Sequence, residues 1–361
     1  MISASCHQSS APELLIHLGT YKTGSTAIQT FMHSNQDRLR QLGVLYPLYP
    51  QSDRLERNHG RLDSGLTRLL HGPSNAYVDY FLERLSSDLR QNEPRLVVLS
   101  AESFWPRSHQ FAALMVNTFK SLFSRVSVVI YLRHQLDLWI SLYSQQAKTL
   151  RVKPGLPAWG SPEIVGADIV NHGMFYDRVL DVYSDLVGAD HVYARPYDLK
   201  AFPGGDVVHD FLGVCAVDPC LISPGLGSDA KALAVNPNWG WKAVEFSKLF
   251  AADAQYGSVA VRQNVIKSVG KAVHTMSLKG FGDWRGKPAN YLTGADQKQL
   301  WECYTESNQV LADRYFNGRL IFEQKPLLPV TARSLCEVPV DEMQTAINLA
   351  LDIYNTLPVL E

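Results

Sequence analysis

Short runs of consecutive apolar residues constrain this chain more than any other feature. Leu14 to Leu18, Arg95 to Ser100 and Val126 to Leu132 each read as a strand, and His191 to Ala194 is a weaker one. Helical spacing of apolar residues lies between and after them, at Ala27 to Met32, Tyr77 to Leu89, Gln110 to Phe123, Leu136 to Leu150 and Met174 to Leu186. A strand apolar on both faces must be covered on both faces, which calls for helices above and below a parallel sheet. The expected fold class is therefore α/β, a three-layer αβα sandwich with a central parallel sheet. Ligands of such sheets sit at the carboxyl ends of the strands.

Beyond about residue 195 the pattern turns mostly helical, with further candidates at Val207 to Leu212, Trp239 to Ala252, Val259 to Met276, Ala295 to Tyr315 and Asp341 to Leu357. Val152 to Gly166 and Phe316 to Val340 carry several Pro or Gly and read as irregular; the first could be a lid, the second a link to a terminal helix. The expected organisation is one α/β domain over 1–316, with a helical elaboration at about 216–316, then a linker and C-terminal helix over 317–361.

Charge excludes some classes. Across 361 residues, 34 Lys and Arg meet 35 Asp and Glu for a net charge of -1, so bulk positive charge does not recruit nucleic acid or an anionic membrane. No apolar run reaches the roughly 18 residues of a membrane span. Met1 to Pro12 holds Ser, His and Gln where a secretory signal needs an apolar stretch, so a cytoplasmic protein is expected. The cysteines, Cys6, Cys215, Cys220, Cys303 and Cys336, are scattered and odd in number, fitting neither a disulfide framework nor paired metal ligands.

The first strand runs into Gly19-Thr20-Tyr21-Lys22-Thr23-Gly24-Ser25-Thr26. Glycines let backbone N–H groups turn inward, and a helix starting near Ser25 aims its positive dipole end at the same point, which makes a nest for phosphate or sulfate oxygens. Aligned with the nucleotide-triphosphatase pattern GxxxxGK[ST], the loop keeps both glycines and Thr26, yet has Ser25 where that pattern has lysine. The loop's lysine is Lys22, in its crown. A P-loop kinase also needs an acidic strand-end residue for Mg²⁺, whereas Val126 to Leu132 ends in Arg133; Glu102, after the run ending at Ser100, makes this objection partial.

Lys22-Thr23-Gly24-Ser25-Thr26 after a strand resembles the 5′-phosphosulfate loop of P-loop sulfotransferases, of bacterial type, that use 3′-phosphoadenosine-5′-phosphosulfate (PAPS). Arg133-His134-Gln135-Leu136-Asp137-Leu138-Trp139-Ile140-Ser141 resembles their 3′-phosphate segment, an Arg at a strand end with a Ser eight residues on. Arg suits a dianionic phosphate because it offers forked, permanently charged donors. Family members often have Pro where this chain has Gln135. Leu278-Lys279-Gly280-Phe281-Gly282-Asp283-Trp284 is similar, one residue short, to the KGxxGDW segment that covers the nucleotide. Tyr193 to Tyr197 followed by Val207 to Leu212 looks like the family's later strand and short helix, which are scaffold.

The resemblance implies PAPS as donor, adenosine 3′,5′-bisphosphate (PAP) as product and no metal, Lys22, Arg133 and a helix terminus supplying the countercharge. It implies donor contacts from Tyr21, Lys22, Thr23, Gly24, Ser25, Thr26, Arg133, Ser141 and Lys279. The plain alternatives remain: a glycine-containing turn with a solvated lysine, an Arg133–Asp137 surface ion pair with Ser141 merely exposed, and an interhelical glycine turn at Gly280.

The acceptor must also lose a proton. Glu102, in Ser100-Ala101-Glu102-Ser103-Phe104, sits at a strand's carboxyl end, and burial beside Phe104 and Trp105 would raise its pKa toward a useful range. The other reading of Glu102 is a helix cap or a partner for an arginine. His59, in Arg57-Asn58-His59-Gly60, is the second candidate base, with a solvated loop histidine as the alternative. His17, inside the first strand, reads as a core residue. The expected function is sulfuryl transfer to a hydroxyl, less often an amine, of a small-molecule or carbohydrate acceptor. A P-loop nucleotide kinase or a non-catalytic nucleotide-binding protein are the alternatives, and a homodimer is left open. Trp105, Trp139, Trp159 and Tyr143 could line the acceptor cleft; the alternative is core packing for Trp139 and Tyr143, on the helix Leu136 to Leu150, and a loop anchor for Trp105 and Trp159.

Overall fold

The computed structural model describes residues 11–50, 56–105, 108–151, 173–222, 238–251, 258–331 and 333–357. Contacts divide the chain in space rather than along the sequence. One compact unit gathers the described residues of Met1–Arg133, Phe175–Val235 and Asp313–Asn317, and the other those of His134–Met174, Asn236–Ala312 and Gly318–Glu361.

The first unit runs β1 (Glu13–Leu18), α1 (Ser25–Ser34), α2 (Gln36–Gln41), β2 (Val44–Leu45), α3 (Gly60–Leu70), α4 (Ala76–Asn92), β3 (Leu96–Ala101), α5 (His109–Lys120) and β4 (Arg125–Leu132). The chain then passes through α6 (Gln135–Lys148), which belongs to the second unit, and resumes here with α7 (Tyr176–Val187), β5 (Val192–Pro196) and α8 (Val207–Val214). The five strands form one parallel sheet in the order β2-β3-β1-β4-β5. β1 is central, with Leu14 opposite Val97 on one side and Val126 on the other.

Side chains alternate across the sheet, so each strand feeds both layers. On one face Leu15, Val98, Val129 and Tyr131 pack under Ile28 and Met32 of α1 and Phe211 and Leu212 of α8. On the other, Leu14, Ile16, Val97, Leu99, Val128 and Ile130 are all but sealed from solvent, in the layer where α3, α5 and α7 meet the sheet. Burial of each such side chain contributes about 1.5–3 kcal/mol, and their unbroken apolar runs follow from it. The chain is thus an α/β protein with a parallel sheet between helical layers.

Strand order also fixes where a ligand would enter. After β1 the chain crosses toward β2 and β3, whereas after β4 it leaves in the opposite direction toward β5. β1 and β4 are neighbours, so their diverging loops open a crevice at their carboxyl ends.

The second unit holds α6, β6 (Asn238–Trp239), α9 (Trp241–Ala251), α10 (Val259–Leu278), β7 (Arg285–Gly286), α11 (Gly294–Tyr315, whose last residues are counted with the first unit) and α12 (Val340–Thr356). α10 and α12 pack together, and β6 pairs antiparallel with β7. Trp284 is fully buried against Phe246, and its Nε1 donates to Glu342, which also pairs with Lys242. The described residues from Phe316 to Pro339 are irregular apart from a 3-10 turn at Leu335–Glu337. The expected lid, Val152 to Gly166, lies outside the described residues.

In the first unit three elements depart from the sequence reading. α2 is six mostly polar residues, β2 is two residues long, and α3 begins where a loop around His59 was expected. Among the described residues no helix is long and apolar enough to cross a membrane.

Candidate functional site

The loop after β1 is built on glycines at two close approaches. Gly19 donates its N–H to Ala101 O at 3.0 Å, and a Cβ there would stand 2.9 Å from Ala101 O and from the backbone of Glu102. The missing side chain lets the end of β3, with Glu102, lie directly against the start of the loop. Gly24 has φ 81°, and a Cβ there would meet Val207 Cγ1 at 2.6 Å.

Hydroxyls inside the loop are spent on its shape. Thr20 O accepts from Thr23 Oγ1 at 2.6 Å and from Ser25 Oγ at 3.1 Å, and all three residues are buried. Thr26 is exposed, and Lys22 and Tyr21 are half-buried. Tyr21 meets Trp105 edge-on at 5.7 Å. Lys22 and Gly24 both have left-handed backbone, a conformation that gathers neighbouring N–H groups into an anion-binding concavity. Behind it α1 begins at Ser25 with no side-chain cap and no acid in its first turn, so its leading N–H groups and its dipole face the loop.

Two charged groups converge on Lys22. Arg133, at the end of β4, donates from Nη1 to Lys22 O at 2.7 Å and holds the crown of the loop. Its own carbonyl accepts from Tyr176 Oη at 2.7 Å, and its guanidinium lies 6.0 Å from the Tyr197 ring centroid. Glu102, half-buried, opens a 3-10 turn, Glu102–Phe104. Burial pushes its carboxyl above the usual carboxylate range, and the Lys22 ammonium opposes that push. Burial lowers Lys22 from the usual lysine range, Glu102 raises it, and Arg133 lowers it further. The result is a lysine and a carboxyl group in partial contact with water, coupled to each other, over a nest of backbone donors.

His59 stands elsewhere. It is 2 % exposed, its Nε2 donates to Pro47 O at 2.8 Å and its Nδ1 accepts the Ser100 N–H at 3.0 Å. Both ring nitrogens are occupied, and burial pushes its pKa down to about 4. His17 is fully buried, as a core residue should be, with Nδ1 2.8 Å from Ser100 Oγ, Nε2 without a hydrogen-bond partner and a pKa pushed by burial to about 3.

Apart from Trp105, the remaining sequence candidates among the described residues belong to the second unit. Ser141 is buried on α6, not exposed. Within that unit Asp137 pairs with Lys325, which is not the alternative reading of an ion pair with Arg133. Gln135 opens α6 with its amide donating to Asn308 Oδ1 at 2.7 Å, a buried contact that a proline could not make. Gly280 has φ 84° and closes α10: its N–H reaches Ser277 O while Phe281 N–H reaches Met276 O, the pairing of a Schellman turn. Helix termination therefore explains that glycine, and Lys279 is exposed beside it. Trp105, Trp139 and Tyr143 are core residues, and Trp159 lies outside the described residues. Among the described residues no group of three or more His, Cys, Asp or Glu could hold a metal ion.

Tyr176 and Tyr197 were not anticipated. Tyr197 follows a strand's carboxyl end, a position that could have drawn notice, while nothing in the sequence marks Tyr176 as the residue holding Arg133.

No protein-family profile matches the chain, and no curated protein sequence matches it. Among solved structures it is similar to a sulfotransferase from Alicyclobacillus acidocaldarius, at 13 % sequence identity and a TM-score of 0.38, over 84 % of this chain and 95 % of that one. A superposition at that score carries no weight for fold or activity.

Proposed function

We propose that this protein is a sulfotransferase that moves a sulfuryl group from PAPS to a hydroxyl, less often an amine, of a small-molecule or carbohydrate acceptor. The observation that carries the reading is Lys22: a half-buried ammonium in the crown of the β1–α1 loop, its carbonyl pinned by Arg133 and its charge coupled to Glu102.

In this reaction Glu102 takes the acceptor's proton as the acceptor oxygen forms its bond to sulfur. The bond between sulfur and the bridging oxygen breaks, and its electron pair leaves with PAP. Lys22 and the loop N–H groups stabilise charge growing on the departing 5′-phosphate, while Arg133 offers its remaining guanidinium donors to the nucleotide's anionic groups. Ser25 and Thr23 support the reading indirectly, since their hydroxyls hold the loop carbonyl of Thr20 rather than point outward. Thr26 keeps an exposed hydroxyl for the donor. His59, with both ring nitrogens engaged, is passed over as base in favour of Glu102.

A P-loop kinase is disfavoured by Ser25 at the lysine position of that motif and by Arg133 at the end of β4. Isothermal titration separates the two: PAP binds without metal on the sulfotransferase reading, and binding of ATP only, dependent on Mg²⁺, would contradict it.

A further inference from the structure

β2 reaches only Leu96 and Val97 of β3, so among the described residues no strand lies beside the carboxyl end of β3 on that side. His59 stands in for one. Its backbone N–H donates to Ser100 O at 2.8 Å, and its Nδ1 accepts the Ser100 N–H at 3.0 Å, so one residue completes both edge hydrogen bonds. The opposite nitrogen, Nε2, anchors the ring to Pro47 O at 2.8 Å, and Tyr46 and Phe81 pack against the ring.

From the other side the Ser100 hydroxyl meets His17 Nδ1 of β1 at 2.8 Å and Gln29 Nε2 of α1 at 3.1 Å. Gln29 in turn accepts from Asn58, the neighbour of His59, at 3.3 Å. Ser100 is thereby gripped from the free edge of β3, from β1 and from the helix behind the phosphate-type loop. Two residues later comes Glu102. A neutral imidazole suits the edge position because it accepts at one end of a rigid ring and donates at the other, with no net charge to bury.

Resting on the sulfuryl-transfer reading, we propose that His59 is a positioning residue for the Glu102 base, its ring bracing the open edge of β3 at Ser100 so that the carboxylate stays turned toward Lys22. The charged groups acting on Glu102 are Lys22 and, through it, Arg133, and neither touches His59 in any described contact.

The test follows the Glu102 carboxyl by carbon-13 NMR in protein labelled at glutamate carboxyls and saturated with PAP, the signal assigned by its loss in Glu102→Gln. In His59→Ala the titration midpoint is expected to fall toward the ordinary carboxylate value as the unbraced carboxylate gains water, with PAP affinity within roughly twofold of wild type. His59→Asn, whose Oδ1 can still accept the Ser100 N–H, should restore most of the midpoint. An unchanged midpoint in a folded His59→Ala protein overturns the proposal. Should that variant not fold, His59→Asn is compared with His59→Gln, which can reach Pro47 but not Ser100, and equal midpoints in the two overturn it. If the wild type binds no PAP, the sulfuryl-transfer reading fails instead, and the same titrations without nucleotide still decide what His59 does.

Discussion

Lys22 and Glu102 bring different parts to one reaction, and their substitutions should separate. Lys22→Ala removes the cation beside the departing phosphate, so PAP binding weakens and turnover falls about 10²–10³-fold, measured by titration and by a sulfuryl-transfer assay with a competent acceptor. Glu102→Gln leaves the donor's countercharge intact, so PAP affinity holds while turnover falls about 10²–10⁴-fold. Equal losses of affinity in both variants would mean that the carboxyl serves binding rather than proton transfer. Because burial raises Glu102, the rate should climb with pH through a limb lying above the usual carboxylate range, as the base form accumulates; a limb at the ordinary value would contradict the burial seen here.

At this scale the loop was legible in the sequence because glycine spacing and a lysine encode it within eight residues. The partners of that lysine were only half legible. Arg133 and Glu102 could be named from their places after apolar runs, yet that Arg133 would grip a backbone carbonyl, or that His59 would sit in the core with both nitrogens bonded, depends on contacts between residues 41 and 111 positions apart.

Elements show the same division. β1, β3 and β4 announce themselves because strands buried on both faces must be apolar throughout, and their observed ends lie within one or two residues of the apolar runs. β2 and α2 are too short to carry a period, and α3 is hidden by its polar face and by an N-cap, His59, whose side chain does not cap it. The junction of β1 with β3 is the one where Gly19 lets two backbones lie side by side. Gly19→Ala should cost about 1–3 kcal/mol in urea unfolding, since the atoms it would strike are backbone and cannot swing aside. A loss of less than about 0.5 kcal/mol would mean that the end of β3 is free to move and that Glu102 is not held against the loop.

Across the whole molecule, His17 and His59, buried and neutral, make stability pH-dependent. Both have folded-state pKa values below the ordinary histidine value of 6.5, His17 at about 3 and His59 at about 4, so the unfolded chain binds protons that the folded one refuses. Their contribution is whole above the unfolded value and is lost progressively as pH falls from there through the folded values. Between pH 7 and pH 5 each should remove roughly 1–2 kcal/mol from the unfolding free energy. His17→Asn, compared with wild type by urea unfolding at both pH values, should lose about half of that dependence, and an unaltered slope would mean His17 is protonated in the fold.

The division of the chain into two units was the least legible feature, because each is assembled from segments distant in sequence. What unites the account is a single cation at the switch point of a parallel sheet. A crystal structure with bound PAP tests it most directly: the Lys22 ammonium should lie about 2.7–3 Å from an oxygen of the 5′-phosphate seated in the β1–α1 loop. The account is contradicted if the nucleotide's phosphate binds away from that loop, or if the ammonium points into solvent.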